Sequence, residues 1–595
     1  MKRFPWMTTA VLLLAASAPA AWAAPNDKSL SWVPATAPVV AHLNGLDALR
    51  SHVAAFLKNA VPGQGDALLA QYDSMMQNGV QGRKLRGLSK DGPIFFVVTD
   101  LPPNPDSFGL VAAVSDYAAF RDNILSDEEK KAIQTTDGYE STTFFGTPIY
   151  LVNKKTYVVF TPSKELAASY VKKGTGAEGA GGLETKLSKV QAAKFLASDA
   201  GYYVDMEAIN KQFADQIKDF RNKFHDQLDQ AAQAVGPEQK AQFEMAKKMF
   251  DPLFQAAEDA KAALATVEVH PDGVTLHMDV EPRSGTATAD LFKGFTPQPF
   301  KDLGKLPAGN LAYGGVAFDP AMLKLVGDLM NGLANDPKFK DAAAAFEDWS
   351  KSGPTGQISA FSYPASGLSI TQCAEPDKAV AAAVKALQSF GSGGAFSIAF
   401  KDKPEVKQDA EKYNSISFTS IHMVWDFDKM MAAQANGPQL PDAMKKQLIE
   451  SLKKLIGEEM NAYIGVDGKT VVQVSAKDWT SAQKLLDGYY KGQDAVGADK
   501  GFSGARKQLP DQATVLVVLD AVQAAGDVMD FMKPIMQTLG VNLPPNYPAA
   551  VKGKPGYVGF AVTMRPESGG VDFVVTAEAV RQIYQGYVAP LMPAH

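Results

Sequence analysis

The feature that most constrains this chain is repetition. Three segments open alike. Val33-Pro34-Ala35-Thr36-Ala37-Pro38 leads into Val39-Val40-Ala41-His42-Leu43, and Leu306-Pro307-Ala308-Gly309-Asn310 leads into Leu311-Ala312-Tyr313. Leu509-Pro510-Asp511-Gln512 leads into the run from Ala513 to Asp520, and Ser198–Met206 is a fourth, weaker copy. Each reads as turn, buried strand, then helix. Proline fixes the entry, β-branched and aromatic residues fill the strand, and helical spacing follows.

The order of later elements also matches. A hairpin from Gly146 to Phe160 turns at Asn153-Lys154-Lys155, and a helix follows from Ser163 to Lys173. Downstream, a hairpin from Asn461 to Val474 turns at Asp467-Gly468-Lys469, with a helix from Lys477 to Leu486. Asp-Gly favours such a turn because both positions tolerate positive φ. Tyr150 and Tyr463 lie 313 positions apart, and Asp205 and Asp520, each closing the next strand, lie 315 apart. Hairpins from Ala265 to Val280 around Asp272-Gly273, and from Tyr557 to Ala577 around Gly569-Gly570, put Gly273 and Gly570 297 apart. The sequence therefore reads as an α+β protein of two tandem related units, residues 24–300 and 301–595. Each is expected to be a largely antiparallel sheet with helices packed on one face. A chain of 595 residues is in any case too long for one core.

The halves differ by a long helical hairpin in the first, at about residues 206–264. Ile209, Phe213, Ile217, Phe220, Phe224 and Leu228 form one apolar stripe. Gly236-Pro237 breaks the helix, and a second carries Phe243, Met249, Phe250, Leu253 and Phe254, with Pro252 expected to kink or divide it. Gly174–Gly182 and Gly391–Gly394 read as surface loops.

The first 23 residues carry a signal-peptide pattern. Lys2 and Arg3 precede an apolar run from Ala10 to Ala16, and Ala21-Trp22-Ala23 offers small residues for cleavage after Ala23. The run is shorter than the roughly 18–20 residues that span a bilayer. No later stretch is long and apolar enough, so no transmembrane span is expected in the mature chain. Charge agrees with this picture: 59 Lys+Arg against 65 Asp+Glu gives −6, and without Lys2 and Arg3 the count is 57 against 65, or −8. An acidic balance argues against a nucleic-acid partner. The single Cys373 cannot form an internal disulfide, so packing must supply stability.

Chemistry-bearing motifs are sparse. The seven histidines, His42, His52, His225, His270, His277, His422 and His595, include no His-Glu-x-x-His pattern. Gly174-Thr175-Gly176-Ala177-Glu178-Gly179 has dinucleotide-loop spacing but follows a helix rather than a strand. Ser451-Leu452-Lys453-Lys454 and Ser481-Ala482-Gln483-Lys484 have Ser-x-x-Lys spacing without the companion elements of penicillin-recognising enzymes. The best constellation is the hairpin 265–280. Alternation places Val267, Val269, Val274, Leu276, Met278 and Val280 on the buried face, and Glu268, His270, Thr275, His277 and Asp279 on the other. A two-residue turn at Asp272-Gly273 sets Glu268 opposite His277. Glu268, His270, His277 and Asp279 are then candidate ligands for a divalent metal. The second hairpin has Thr563, Arg565, Asp572 and Val574 instead, so such a site belongs to one half only. Met430-Met431, and Met529, Met532 and Met536 at helical spacing, read as core or as an adaptable apolar groove. No cofactor and no catalytic residue is expected.

The openings at Pro34-Ala35-Thr36-Ala37 and Leu306-Pro307-Ala308, with the hairpin-plus-helix segments after Tyr150 and Tyr463, resemble a loose family of uncharacterised bacterial exported proteins. A Leu-Pro-Ala opening before a strand recurs in it. The resemblance brings no catalytic residues. With the export pattern, it points to a periplasmic or secreted, non-enzymatic binding or scaffolding protein of the cell envelope, whose partner is another envelope protein or an apolar ligand. A metal-dependent envelope hydrolase and a carrier for an apolar ligand or lipid are the alternatives.

Overall fold

Runs such as Ile94-Phe95-Phe96-Val97-Val98 and Tyr157-Val158-Val159-Phe160 have no polar alternation, and a strand of that composition must bury both faces. The computed structural model describes residues 27–79, 82–136, 138–173, 181–233, 237–334, 337–389, 399–433, 441–541 and 553–591. The signal-peptide pattern at 1–23, Gly174–Gly179, Gly236, Gly391–Gly394 and His595 lie outside these. The chain divides into two units. The first takes residues up to Lys218 together with Ala260–Arg283; the second takes Asp219–Asp259 and the chain from Ser284 onward.

The first unit has β1 (Val39–Leu43), β2 (Ile94–Val98), β3 (Phe108–Ala113), β4 (Gln134–Thr136) and β5 (Tyr139–Phe144). It continues with β6 (Thr147–Asn153), β7 (Tyr157–Thr161), β8 (Ala200–Asp205), β9 (Ala260–His270) and β10 (Gly273–Pro282). Antiparallel ladders order them β4-β5-β6-β7-β3-β2-β1-β8-β9-β10.

The second unit has β11 (Ala312–Ala317), β12 (Pro354–Ser362), β13 (Ser366–Cys373), β14 (Glu405–Tyr413) and β15 (Ile416–Val424). It continues with β16 (Glu459–Asp467), β17 (Thr470–Ala476), β18 (Val515–Asp520), β19 (Tyr557–Arg565) and β20 (Ser568–Thr576). The order is β14-β15-β16-β17-β13-β12-β11-β18-β19-β20. Adding ten to each strand number converts the first order into the second.

Individual bonds repeat as well. Leu183 N–H donates to the Val33 carbonyl at 2.9 Å, and Val496 N–H to the Leu306 carbonyl at 2.8 Å. Pro34 bridges Gly182, and Pro307 bridges Ala495. The Pro-Ala openings are thus edge contacts that admit the chain into β1 and β11; proline fits there because it has no N–H to pair. The four similar openings resolve into two adjacent pairs, β1 beside β8 and β11 beside β18. Asp205 N–H donates to the Pro38 carbonyl and Asp520 N–H to the Leu311 carbonyl, both at 2.8 Å. Each aspartate then caps the following helix. Asp205 Oδ1 accepts from Ala208 N–H at 3.0 Å, and Asp520 Oδ1 from Val522 and Gln523 N–H at 3.1 and 3.2 Å.

Helices cover both faces of each sheet, where the sequence reading expected one. In the first unit Val40, Phe95, Val111 and Val159 pack with Leu166 and Tyr170 of the helix Lys164–Lys173. On the opposite face Ala41, Ile94, Ala112 and Val158 pack with Leu49 of the helix Leu46–Ala60 and Phe120 of the helix Tyr117–Ile124. In the second unit Val472 and Val474 pack with Ala482 and Leu486, and Ile421, Ile464 and Val471 with Ala379. The reason is the unbroken apolar runs in the central strands, Val158 and Val159 being adjacent and both fully buried.

The helical hairpin forms from the helices Met206–Gln233 and Pro237–Asp259, with Ala260 already in β9. Backbone geometry breaks at Phe213 in the first helix, while the second runs on through Pro252, the expected kink. Residues 219–259 associate with the second unit, and the division falls after Arg283 rather than at 300. Lys248 Nζ reaches the Gly332 carbonyl at 3.4 Å, and Asp259 Oδ2 accepts from Thr288 N–H at 3.1 Å. Arg221, Asp251 and Glu258 tie the two helices together, and Phe224 meets Phe250 and Phe254 edge-on.

The capping geometry gives a direct expectation. Asp205→Ala and Asp520→Ala should each lower stability by about 1–2 kcal/mol, and the corresponding Asn variants by much less. Urea unfolding measures this; alanine variants indistinguishable from the parent would refute the capping contribution, and a loss in only one of them would refute the equivalence of the two caps.

Candidate functional site

The four proposed ligands sit on β9 and β10, but in a different register from that expected. His270 pairs with Gly273, so the two-residue turn is Pro271-Asp272 and not Asp272-Gly273. Glu268 therefore faces Thr275, and His277 faces Thr266. Burial also departs from the reading. Thr266, Thr275 and His277 are buried while Met278 is 45 % exposed, so the supposed wet face is the drier one at this point. His270 Nε2 lies 3.7 Å from Glu268 Oε2, and His277 Nε2 lies 3.8 Å from Asp279 Oδ2. The His270 side chain holds the Glu268 carboxyl below its ordinary range, with burial opposing. These are two separate pairs. Among the described residues no group of three or more His, Cys, Asp or Glu side chains could hold a metal ion.

A different pair stands out. His52 Nδ1 lies 2.7 Å from Asp199 Oδ1, with side-chain exposures of 9 % and 3 %. The helix Leu46–Ala60 presents His52, whose neighbour Val53 packs against Val269 of β9. Asp199 immediately precedes β8, and its Oδ2 accepts from Val269 N–H at 3.2 Å. Burial drives the His52 imidazole down to about 4, helped by nearby His270. Burial drives the Asp199 carboxyl up to about 8; the Val269 N–H opposes this and the Glu268 charge adds to it. Between those values the pair holds one proton beyond bare carboxylate and neutral imidazole, and carries no net charge. A carboxyl and an imidazole sharing a proton in a dry setting can act as acid or base only if a reacting group reaches them.

The second unit shows what Asp199 does. Asp199 N–H donates to the Val267 carbonyl at 3.0 Å, and Thr514 N–H to the Val562 carbonyl at 2.7 Å. Asn44 N–H donates to the Asp199 carbonyl at 3.0 Å, and Ala317 N–H to the Thr514 carbonyl at 2.8 Å. Thr514 Oγ1 accepts from Met564 N–H at 3.0 Å, as Asp199 accepts from Val269. Thr514 thus makes the same three bonds with a hydroxyl in place of the carboxylate. Pattern-reading passed over His52 and Asp199 because they lie 147 positions apart. The 315-position offset of Asp205 and Asp520, applied to Asp199, leads straight to Thr514.

The remaining described motifs lie within packed helices and strands. Ser451 is buried within the helix Asp442–Ile456, and Ser481 N–H is held by the Asp478 cap at 2.7 Å. Cys373 is buried, and burial raises its thiol pKa. In the helix Ala521–Thr538, Met532 is exposed beside Val528 rather than in a core, whereas Met431 is buried. No described helix is long and apolar enough to cross a membrane.

His42 on β1 is fully buried, with its ring 5.2 Å from that of Phe95 and 5.1 Å from that of Phe195. Neither ring nitrogen makes a hydrogen bond of good geometry, although the Phe195 backbone lies close enough to favour the charged ring slightly. The register places His42 across from Gly201, as Gly315 is placed across from Leu516 in the second unit. A Cβ on Gly315 would lie 2.6 Å from the Phe300 ring, so an aromatic ring occupies that place from another direction. Comparison with family models, curated proteins and solved structures finds no match for the chain.

Burial lowers the His42 pKa from 6.5 to about 3, the Phe195 backbone offsetting part of it. The unfolded imidazole therefore takes a proton at a higher pH than the folded one. This group's contribution to stability is intact above pH 6.5 and falls by about 1.4 kcal/mol per pH unit as pH drops towards 3. His42→Phe should remove that acid limb and raise stability at pH 7 by about 1–3 kcal/mol by deleting unpaired buried nitrogens. Thermal unfolding from pH 4 to 7 checks both; an unchanged acid limb in the variant would count against this role.

Proposed function

We propose that this chain is an exported, non-enzymatic binding or scaffolding protein of the cell envelope, built from two copies of one α+β unit. It works through its surfaces rather than through a reactive centre. The observation that carries this reading is the equivalence of Asp199 and Thr514. Asp199, the carboxylate of a closely bonded, buried imidazole–carboxylate pair, occupies a backbone-bracing position that a threonine fills in the second unit. A residue whose three backbone bonds a threonine reproduces is part of the frame. Copying of one unit is supported by the matching strand orders and by the parallel bonds at Val33 and Leu306. Export and envelope location rest on the pattern of the first 23 residues and on the resemblance to exported bacterial proteins.

A carrier for an apolar ligand is the second reading, and one observation favours it. Phe560 and Phe573 face each other across β19 and β20, 38 % and 41 % exposed. A metal-dependent hydrolase built on the hairpin would have two separate His–carboxylate pairs there, His270–Glu268 and His277–Asp279.

Cell fractionation and native mass spectrometry test these readings together. The full chain should enter the envelope fraction, and a chain starting at residue 24 should stay in the cytoplasm. Asp199→Thr should retain the fold and the envelope contacts captured by in-cell cross-linking. Hydrolytic activity of the purified protein that disappears with Asp199→Thr would overturn the non-enzymatic reading. Lipid that co-purifies and is lost on Phe560→Ser with Phe573→Ser would favour the carrier.

A further inference from the structure

We propose that the His52–Asp199 contact is a proton-operated latch that fastens the helices Leu46–Ala60 and Gly65–Gly79 to the sheet of the first unit. The geometry is that of a latch. The helix Leu46–Ala60 supplies His52, the sheet supplies Asp199, and the bond between them is 2.7 Å long and buried. Leu49, nearer the start of the helix, sits in the larger core under Ala41 and Ile94, but the core beside the bond and the helix Gly65–Gly79 is small. Val53 and Val269 are its buried members, with Phe56, Leu57, Leu69, Tyr72, Val267 and Val274 packed around them. Asn59 Nδ2 adds one exposed bond to the Pro271 carbonyl at 2.9 Å. A polar contact carries most weight where the apolar contact beside it is thin.

The charged surroundings set the direction in which the latch releases. On β9, Glu268 acts on Asp199 and His270 acts on His52. Lys194, from the helix Lys189–Ala197, and His277, on β10, act on Glu268, and Asp279 lies beside His277. From the helix Gly65–Gly79 come Tyr72 and Asp73, the latter paired with Arg50 at 2.7 Å; Asp47 lies in the first turn of the helix Leu46–Ala60. Removing the shared proton leaves a second carboxylate beside Glu268, in a place with little water to screen it. Among the described residues its close donors are the Val269 N–H and His52 Nδ1–H. The bond survives, but its setting becomes unfavourable by the net charge that the burial resists. The second unit has Thr514 at this place and no such response.

The sign follows from the two groups together. The unfolded carboxyl and imidazole titrate at 3.8 and 6.5, while the folded pair loses its shared proton near 8 and gains a further one near 4. From about 4 to 6.5 the two states hold equal numbers of protons, so the pair contributes no slope. From 6.5 to 8 the folded state holds one more, and closure weakens as pH rises.

Hydrogen exchange read by mass spectrometry, corrected for intrinsic rates, tests the latch on the whole protein. Protection of residues 46–79 should fall by up to about thirtyfold between pH 6.5 and 8.5, the factor that 1.5 pH units of linkage allows. Residues 320–351 of the second unit should change little. Asp199→Asn, which keeps a hydrogen-bonding side chain but cannot titrate, should flatten the response, and so should Asp199→Thr. The unmodified protein decides alone if both variants misfold. Equal losses in 46–79 and 320–351, or none in either, would overturn the latch, as would a response that persists in a folded variant.

Discussion

Antiparallel register between strands distant in sequence is the constraint on which everything else in this molecule depends. β1 pairs with β8 across some 160 residues and β11 with β18 across some 200, and each pair lies in the interior of its sheet. A one-residue slip would turn every side chain to the opposite face. Where both faces are buried, as along Val158 and Val159, a slip gains nothing from solvent, so the local bonds at the strand entrances must fix the alignment. Those bonds are the ones found in both units: the Pro-Ala openings held by Leu183 and Val496, and the aspartates that close β8 and β18 and cap the next helix.

This explains how much of the fold was legible. The openings, the hairpins at Lys155 and Gly468, and the capping aspartates are local, and their turn and cap chemistry is written in adjacent residues. Both turn residues do take up positive φ. Helices on both faces were legible in principle, since the central strands carry unbroken apolar runs, but the reading weighted the alternating hairpins more heavily. The last hairpin shows the limit. The Asp-Gly pair at 272–273 suggests the turn, yet the chain turns at Pro271-Asp272, and the second hairpin turns at Pro566-Glu567 rather than at its glycine pair. Glycine permits a turn but does not require one. In register the two hairpins correspond at an offset of 295, two positions from the separation that the glycines suggest.

The candidate site was less legible for a physical reason. Glu268, His270, His277 and Asp279 attract notice because alternation gathers them, but alternation says nothing of the side-chain reach that would join four ligands. His52 and Asp199 meet only because a helix and the start of a strand converge. Neither has a neighbour in sequence that marks it. The trace they leave is comparative: at the position where one unit has a threonine hydroxyl, the other has a carboxylate with an imidazole against it.

That difference bears on how a repeated fold acquires a property. The three backbone bonds made by Asp199 and Thr514 are indifferent to whether the accepting oxygen belongs to a carboxyl or a hydroxyl, so the position tolerates either. Carboxylate alone would be a buried, uncompensated charge; imidazole alone would be a buried base with an unpaired nitrogen. Together they hold a proton between them and stay neutral near physiological pH. An ionisable pair can thus enter a frame already braced by backbone bonds with little loss of stability under ordinary conditions, and it makes that frame answer to pH only where the shared proton leaves. His42 is the contrast. Its ring fills space beside Phe95 and Phe195 with no acid to share a proton, so it resists charging altogether and sensitises the same unit from the acid side.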